Sequence, residues 1–338
     1  MTLDAVPAGE RGARGTARAF WVREPGRGEI RPAPLRPLGP DDLLVRALRS
    51  GVSRGSETLV FRGGVPASQY GVMRAPFQEG DFPGPVKYGY LSVGVVEHGP
   101  DGLEGRTVFC LHPHQTAYVV PARSVVPVPE DVPPDRAVLA GTVETAVNAL
   151  WDAAPLIGDR VTVVGAGMVG CCVAGLLARI PAARVTLVDV DPSRAGVAAA
   201  LGVDFAAPAD ADGGQDLVLH ASATSAGLQR SLDLLVDEGS VIDLSWYGDA
   251  EVTLSLGAAF HSRRLGIRAS QVGRVAPARR STRRTTDRLA LALDLLRDPA
   301  FDALLTGTSR FEELPAILPR LVSGDLPALC HVLTYDEE

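Results

Sequence analysis

Three glycines at a fixed spacing give the sequence its strongest chemical signal. Gly165, Gly167 and Gly170 directly follow the apolar run 160–164 and precede an apolar helical segment. At this spacing the first glycine makes a tight turn, the second lets the backbone approach a pyrophosphate, and the third lets helix pack against strand. The helix start adds free N–H groups and a partial positive charge at Met168 and Val169. The pattern therefore predicts a phosphate-binding turn.

An acidic residue follows the glycines at the distance that a dinucleotide site requires. Asp189 lies nineteen residues beyond Gly170, at the end of a second strand-like run, VTLVD. A carboxylate at this place accepts hydrogen bonds from both hydroxyls of an adenosine ribose and repels a 2′-phosphate. The sequence therefore predicts NAD rather than NADP, with Arg194 near the ribose or the adenine. In the alternative interpretation, the glycines only permit a tight turn and Asp189 caps a helix.

Lys87 is the only lysine among 33 basic residues. Unlike arginine, lysine gives up its proton when it is desolvated. Two tyrosines follow it in Lys87-Tyr88-Gly89-Tyr90, and a nearby ammonium lowers the pKa of a phenol. We therefore predict that Lys87 and Tyr90 form a proton-donating pair. The alternative is a surface lysine beside a tyrosine that fills space in the core.

The elements that must position these residues are of two kinds. From residue 19 to about residue 129, short β-type runs alternate with Gly and Pro, which is typical of a compact antiparallel domain. From residue 147, runs of Val, Ile and Leu alternate with helical segments and predict a doubly wound parallel sheet. We therefore predict an α/β protein with a loose tail (1–18), a β-rich domain (19–146 and 270–338) and a nucleotide-binding domain (147–269).

Composition excludes several classes of protein. The chain has 338 residues, 46% of them hydrophobic, and a formal charge of −7, so no overall positive field exists for nucleic acid or an anionic membrane. No apolar stretch approaches the roughly 20 residues of a membrane helix, and the first residues lack the apolar run of a signal peptide. The four cysteines include no CxxC pair, which argues against a disulfide scaffold or a zinc finger. We expect a cytoplasmic protein that acts on a small molecule.

Three segments, together with the order of the domains, carry a resemblance to a known family. GVSRGSETLVFRG (51–63), LSVGVVEHG (91–99) and HQTAYVVPA (114–122) resemble segments of the medium-chain dehydrogenase/reductases. The resemblance covers essentially the whole chain and implies a GroES-like β-rich catalytic domain followed by a Rossmann domain. Within the superfamily, the SRGSE and KYGY tracts look most like the branch of bacteriochlorophyllide hydroxyethyl dehydrogenase.

The chain departs from this family at its catalytic zinc. The family's Cys, His and further Cys or Glu ligand positions fall here on Ser53 or Arg54, on Tyr90, and near Gly141, with Glu144 close by. Zinc requires three or four N, S or carboxylate ligands, so we predict no metal. His112 and His114, spaced to chelate on a strand, remain the alternative, and both are expected in the substrate pocket with Ser53 and Glu144.

The resemblance also implies roles for single residues. Ser56 matches the family's hydroxyl relay, and Glu57 matches the acidic residue beside the metal, where it orients a donor instead. With Tyr90 and Lys87, these form the predicted catalytic set. Thr145, Ser222 and Gln271 join the predicted cofactor site, and a homodimer is implied. His220, after the run DLVLH, lies at the carboxyl end of a predicted strand, where ligands bind in this architecture.

These observations predict a zinc-independent, NAD-dependent alcohol dehydrogenase or ketone reductase. The branch resemblance implies a secondary alcohol or carbonyl on a bulky, cyclic substrate. Two alternatives stay open: an enoyl or quinone reductase that uses NAD(P)H, and a dinucleotide-binding protein without catalytic activity.

Overall fold

The computed structural model describes residues 16–100 and 102–335. Its first strand begins at Thr16, before the boundary predicted at residue 19. The rest of the predicted tail, residues 1–15, lies outside the described residues. Within the described ranges, no helix is both long and apolar enough to cross a membrane.

Residues 16–127 and 305–334 form two sheets, the larger of which is built around the long strand β3 (Asp42–Ser53). The other strands of the two sheets are β1 (Thr16–Glu24), β2 (Arg27–Pro34), β4 (Glu79–Gly80), β5 (Val86–Lys87), β6 (Ser92–His98), β7 (Thr107–Cys110), β8 (Ala117–Pro121), β9 (Val125–Pro127), β16 (Leu305–Arg310) and β17 (Cys330–Thr334). The smaller sheet has the order β2-β1-β5-β4, and the larger has the order β16-β17-β3-β6-β7-β9 with β8 paired to β3. The helices beside them are α1 (Arg54–Phe61), α2 (Pro134–Ala137) and α9 (Leu314–Ser323).

The middle of the chain forms a six-stranded parallel sheet in the order β12-β11-β10-β13-β14-β15. Strands such as β10 are buried along nearly their whole length, as expected for a sheet covered on both faces. Its elements are β10 (Arg160–Val164), α4 (Met168–Leu177), β11 (Arg184–Val188), α5 (Arg194–Leu201), β12 (Asp204–Ala206), β13 (Leu217–His220), α6 (Ser225–Leu234), β14 (Ser240–Asp243), α7 (Ala259–Ser262) and β15 (Gly266–Ala269). The predicted α/β class, with a doubly wound sheet beside a β-rich domain, is confirmed.

Two helices connect these parts. Helix α3 (Ala140–Ala153) runs through the boundary predicted between residues 146 and 147 and packs with α4 and α8 (Thr285–Leu295) in one apolar core. The chain then returns to the first sheet, where β17 lies antiparallel to β3 with Cys330 opposite Ser53. The end of β3, which carries Ser53, thereby lies beside β17, and α1, which carries Ser56 and Glu57, follows it directly.

Candidate functional site

The glycine turn has the geometry that its spacing predicts. Gly165 has a φ of +108°, and a Cβ atom there would lie 2.6 Å from the backbone nitrogen of Ser222. A Cβ atom at Gly170 would lie 1.8 Å from the carbonyl oxygen of Gly165, whereas one at Gly167 would meet no atom within 4 Å. The turn is therefore closed against strand and helix but open at its second glycine, beside the N-terminus of α4 at Met168 and Val169. This cradle fits a pyrophosphate.

Asp189 lies beside this turn. Its Oδ2 accepts a hydrogen bond from the Ala166 N–H at 2.6 Å, and its Oδ1 accepts one from the Asp191 N–H at 2.9 Å. The carboxylate is thus held at the end of β11, next to the glycines. Arg194, at the start of α5, lies 3.3 Å from Asp191. These positions fit the predicted adenosine ribose site.

Three hydroxyl groups meet where β3 ends. The Tyr90 hydroxyl lies 2.6 Å from Ser53 Oγ and 2.5 Å from Ser56 Oγ, and the two serine oxygens lie 3.1 Å apart. Burial raises the pKa of Tyr90 above its ordinary value, although the two serine hydrogen bonds act in the opposite direction. Tyr90 therefore keeps its proton at neutral pH, and its hydroxyl can donate a hydrogen bond.

The buried pair of Glu57 and His114 lies next to this hydroxyl cluster and holds the Ser53 backbone. Glu57 Oε1 accepts a hydrogen bond from the Ser53 N–H at 2.7 Å, and Glu57 Oε2 lies 2.8 Å from His114 Nε2. His114 Nδ1 lies 2.7 Å from Ser50 Oγ, which in turn lies 2.7 Å from the Tyr335 hydroxyl. Both members of the pair are almost fully buried. Glu57 thus orients the Ser53 backbone, while His114, predicted in the substrate pocket, lies inside the protein with both ring nitrogens engaged.

Lys87 does not pair with Tyr90, which corrects the predicted arrangement. Its ammonium donates to Glu79 Oε1 at 2.5 Å and to Gln115 Oε1 at 2.7 Å. The side chain is buried along β5, and the groups that shift the pKa of Tyr90 are Ser53, Ser56 and Glu57. The physical reason is that residues 87 and 90 belong to a strand and to the segment after it, so their side chains leave the backbone toward different neighbours.

His112 is also buried. Its ring stacks on Tyr118, with the centroids 3.8 Å apart and the planes at 9°, and its Nδ1–H donates to the Pro113 carbonyl at 2.9 Å. Burial lowers the pKa of His112 to about 3. The predicted pocket position for this residue is therefore wrong, and His112 and His114 do not combine into a metal pair.

The residues present do not fit the family's catalytic zinc. At the family's ligand positions stand the hydroxyls of Ser53 and Tyr90, and a Cβ atom at Gly141 would already meet Leu91 at 2.6 Å. In the described ranges, no three His, Cys, Asp or Glu side chains come together in a way that could hold a metal ion. Hydroxyl groups without a thiolate or an imidazole are a poor ligand set for Zn²⁺.

Glu144 belongs to a structural ion pair rather than to a substrate pocket. Arg288 Nη2 lies 2.9 Å from Glu144 Oε1, and the same guanidinium donates to Asn148 Oδ1 and the Val272 carbonyl, each at 2.5 Å. Asn148 Nδ2 also donates to the Gln271 carbonyl at 3.3 Å. Burial raises the pKa of Glu144, against the effect of Arg288. The cluster therefore fastens residues 271–276 onto α3.

Of three residues predicted in the cofactor site, only Ser222 lies directly beside the glycine turn. Thr145 Oγ1 donates to the Gly141 carbonyl at 3.0 Å, one helical turn earlier, and Gln271 is exposed in the segment that Asn148 holds. Ser222 lies directly beside the glycine turn, with its Oγ 2.7 Å from His220 Nε2. His220 in turn forms a hydrogen bond with Asp243 at the end of β14. The sequence analysis did not predict Asp243 as a site residue. The available signal was a polar residue at the carboxyl end of two neighbouring strands.

Comparisons with known proteins agree with this architecture. No model of a protein family matches the chain. L-threonine 3-dehydrogenase of Rhizobium rhizogenes is 30% identical over 115 residues, which is 33% of this chain and 33% of that protein. The chain thus matches about a third of the length of this curated relative.

Solved structures match over nearly the whole chain. L-idonate 5-dehydrogenase of Escherichia coli has a TM-score of 0.78 and 17% identity, covering 95% of this chain and 98% of the other. An alcohol dehydrogenase of E. coli solved with NADH has a TM-score of 0.74 and 15% identity, covering 95% and 100%. A Sinorhizobium meliloti protein assigned as a zinc-binding dehydrogenase and solved with NADP has a TM-score of 0.74 and 16% identity, covering 95% and 99%. At these identities the matches establish the fold.

Proposed function

We propose that this chain, whose fold and sequence matches confirm the predicted resemblance to the medium-chain dehydrogenase/reductases, is a zinc-independent, NAD-dependent alcohol dehydrogenase or ketone reductase. One observation carries the proposal: the Ser53, Ser56 and Tyr90 hydroxyls form a hydrogen-bonded cluster, in which Ser53 and Tyr90 stand at positions where the family's zinc ligands are expected. The predicted homodimer and cytoplasmic location stay predictions.

The cofactor assignment depends on the cradle and the carboxylate beside it. Gly165, Gly167 and Gly170 would hold the pyrophosphate at the start of α4, and Asp189 would accept hydrogen bonds from the adenosine ribose. When bound, the nicotinamide ring supplies or accepts the hydride. The negative charge of Asp189 favours NAD over NADP, because a 2′-phosphate beside it is repelled.

The hydroxyl cluster performs the proton chemistry. In ketone reduction, Tyr90 donates a hydrogen bond to the carbonyl oxygen and its proton passes to the alkoxide as the alcohol forms. Ser56, 2.5 Å from the tyrosine oxygen and partly exposed, relays a proton from solvent to Tyr90, taking up one proton as it gives up its own. Glu57 keeps Ser53 in place through the Ser53 N–H and is itself held by His114. Hydrogen-bond donors thus take the place of a Lewis acid.

The aromatic residues near Tyr90 support a bulky apolar substrate. A series of rings packs next to it, with centroid distances of 5.8 Å from Tyr70 to Phe82, 5.8 Å from Phe82 to Tyr88 and 6.1 Å from Tyr88 to Tyr90. Phe82 and Tyr88 are buried in the core, whereas Tyr70, Tyr90 and Trp246 are only partly buried against it. These partly buried rings are the ones that an apolar substrate would contact, as is typical of sites for small organic ligands.

The first test is a fluorescence titration of the purified, metal-analysed protein with NADH and with NADPH. We expect tight binding of NADH, weaker binding of NADPH and no stoichiometric zinc. Cyclic secondary alcohols and ketones are then screened by following nicotinamide absorbance. Stoichiometric zinc that is needed for turnover would overturn the metal-free chemistry, and failure to bind either nucleotide would overturn the cofactor assignment.

A further inference from the structure

A second series of hydrogen bonds, outside the hydroxyl cluster, joins the ends of two neighbouring strands in the nucleotide-binding domain. His220 ends β13 and Asp243 ends the neighbouring β14. His220 Nδ1 lies 2.9 Å from Asp243 Oδ1, and His220 Nε2 lies 2.7 Å from Ser222 Oγ. The histidine has no exposed surface. Both of its ring nitrogens are therefore committed, one to a carboxylate and one to a hydroxyl.

With the His220 ring neutral, the ionised Asp243 sets the direction of these hydrogen bonds. Burial alone would raise the pKa of Asp243, but hydrogen bonds from His220, the Ser245 N–H and Tyr247 lower it, so the carboxylate is ionised. His220 Nδ1–H then donates to Asp243, and Nε2 accepts the hydrogen of Ser222. Thr224 Oγ1 accepts the Gly227 N–H at 3.0 Å and lies 2.9 Å from Ser222 Oγ. Because the hydrogen of Ser222 goes to His220, Thr224 is the donor of this second bond. Ser222 therefore retains only acceptor capacity.

The absence of a side chain at Gly227 leaves room for the hydrogen-bonded Ser222 and His220 side chains. A Cβ atom at Gly227 would lie 2.1 Å from Ser222 Oγ and 3.0 Å from His220 Nε2, so a larger residue there would displace the hydroxyl. On the other side, the Ser222 backbone lies against the glycine turn at Gly165. Ser222 is thus fixed between helix α6 and the phosphate-binding turn.

The order of the strands tells which part of a dinucleotide Ser222 would meet. Asp189, the predicted ribose ligand of the adenosine half, ends β11, and the glycine turn follows β10. β13 is the next strand in the sheet, and the crevice between β10 and β13 is where the strand order reverses. The nicotinamide nucleoside therefore lies toward β13, beside Ser222.

We propose that Asp243 and His220 are positioning residues that hold Ser222 as a hydrogen-bond acceptor for a hydroxyl or amide donor on the nicotinamide nucleoside. This proposal rests on the proposed NAD site. Phosphate oxygens cannot serve as the partner, because they have no hydrogen to donate. The recognised group is the ribose hydroxyl or the carboxamide N–H of the nicotinamide half.

The test compares two ligands that differ in that half. NADH contains the nicotinamide nucleoside and ADP does not, so Ser222→Ala is expected to weaken NADH binding about tenfold and leave ADP binding unchanged. Ser222→Thr, which keeps the hydroxyl, should restore most of the NADH affinity. His220→Gln should weaken NADH in the same selective way, and His98→Gln, at an exposed histidine, is the matched control.

The possible results of these titrations distinguish a failure of the proposed role of Ser222 from a failure of the proposed NAD site. Equal weakening of NADH and ADP in Ser222→Ala, or no change in either, would overturn the role of Ser222 while wild-type NADH binding keeps the NAD site intact. Wild-type protein that binds neither ligand would overturn both. If His220→Gln fails to fold, Ser222→Ala and Ser222→Thr still decide the matter, since neither removes a partner of Asp243.

Discussion

The hydroxyl of Tyr90 lies 2.5 Å from that of Ser56, at the end of a series of aromatic rings. Replacing Tyr90 by Phe removes the proton donor and keeps the ring. We expect kcat for ketone reduction to fall on the order of 100-fold, with NADH affinity unchanged. Tyr70→Phe, at the far end of the same rings, is the control and should retain activity. Undiminished ketone reduction in Tyr90→Phe would refute the role of Tyr90, and activity confined to C=C bonds would favour an enoyl or quinone reductase.

Nucleotide preference is predicted to depend on Asp189. Its neighbour Val190 is 83% exposed, which leaves space for a longer side chain beside the ribose. The double variant Asp189→Ser/Val190→Arg removes the repelling carboxylate and adds a cation that pairs with a 2′-phosphate. The ratio of NADH to NADPH affinity, measured by fluorescence titration, should shift by about tenfold or more toward NADPH. Unchanged selectivity would mean that the ribose lies elsewhere.

Acid is predicted to destabilise the fold through His112. Its pKa is about 3 in the folded protein because of burial, and about 6.5 in the unfolded chain. Between these values only the unfolded chain binds the proton, so stability falls as the pH falls below about 6.5. The contribution lost between pH 7 and pH 5 is about 2 kcal/mol. His112→Phe keeps the stacked ring and should show a smaller loss in urea unfolding at the two pH values; an equal loss in both proteins would contradict the prediction.

The ion pair between Glu144 and Arg288 is predicted to be costly to break from one side. Arg288→Met leaves Glu144 buried without its partner and should lower the free energy of unfolding by about 3–5 kcal/mol. Adding Glu144→Gln removes the orphaned charge and should recover part of this loss. Arg160→Met, in a half-exposed pair with Asp216, is the surface control and should cost less than about 1 kcal/mol. Urea unfolding of the four proteins measures these differences.

Local signals in the sequence predicted the fold well. The Gly165 turn, the run to Asp189 and the alternation of strands and helices all depend on neighbours within about twenty residues, so spacing alone could place them. Helix α3 could not be placed from local signals, because it passes through the predicted domain boundary and is defined by its packing on α4 and α8. A change in composition marks where the strand pattern changes, but it does not mark a helix whose core includes residues from both sides of that change.

Contacts between residues that are far apart in the sequence could not be predicted from local patterns. Glu57 meets His114, His220 meets Asp243, and Glu144 meets Arg288 across 57, 23 and 144 residues of chain. Each is a buried charged or polar group whose partner is chosen by the tertiary fold. The predicted pair of Lys87 and Tyr90 failed for the same reason, since closeness in sequence did not decide which partners Lys87 would find.

Because Lys87 is buried, chemical labelling of its amine can measure how often the surrounding structure opens. It is the only lysine of the chain and is 2% exposed, so reagents that acylate side-chain amines meet no accessible target on the folded surface. Acylation of this side chain requires a local opening that frees its ammonium from Glu79 and Gln115. Under conditions where closing is faster than labelling, acylation of the peptide that contains Lys87 accumulates in proportion to the open population. Its time course measures the free energy of that local opening.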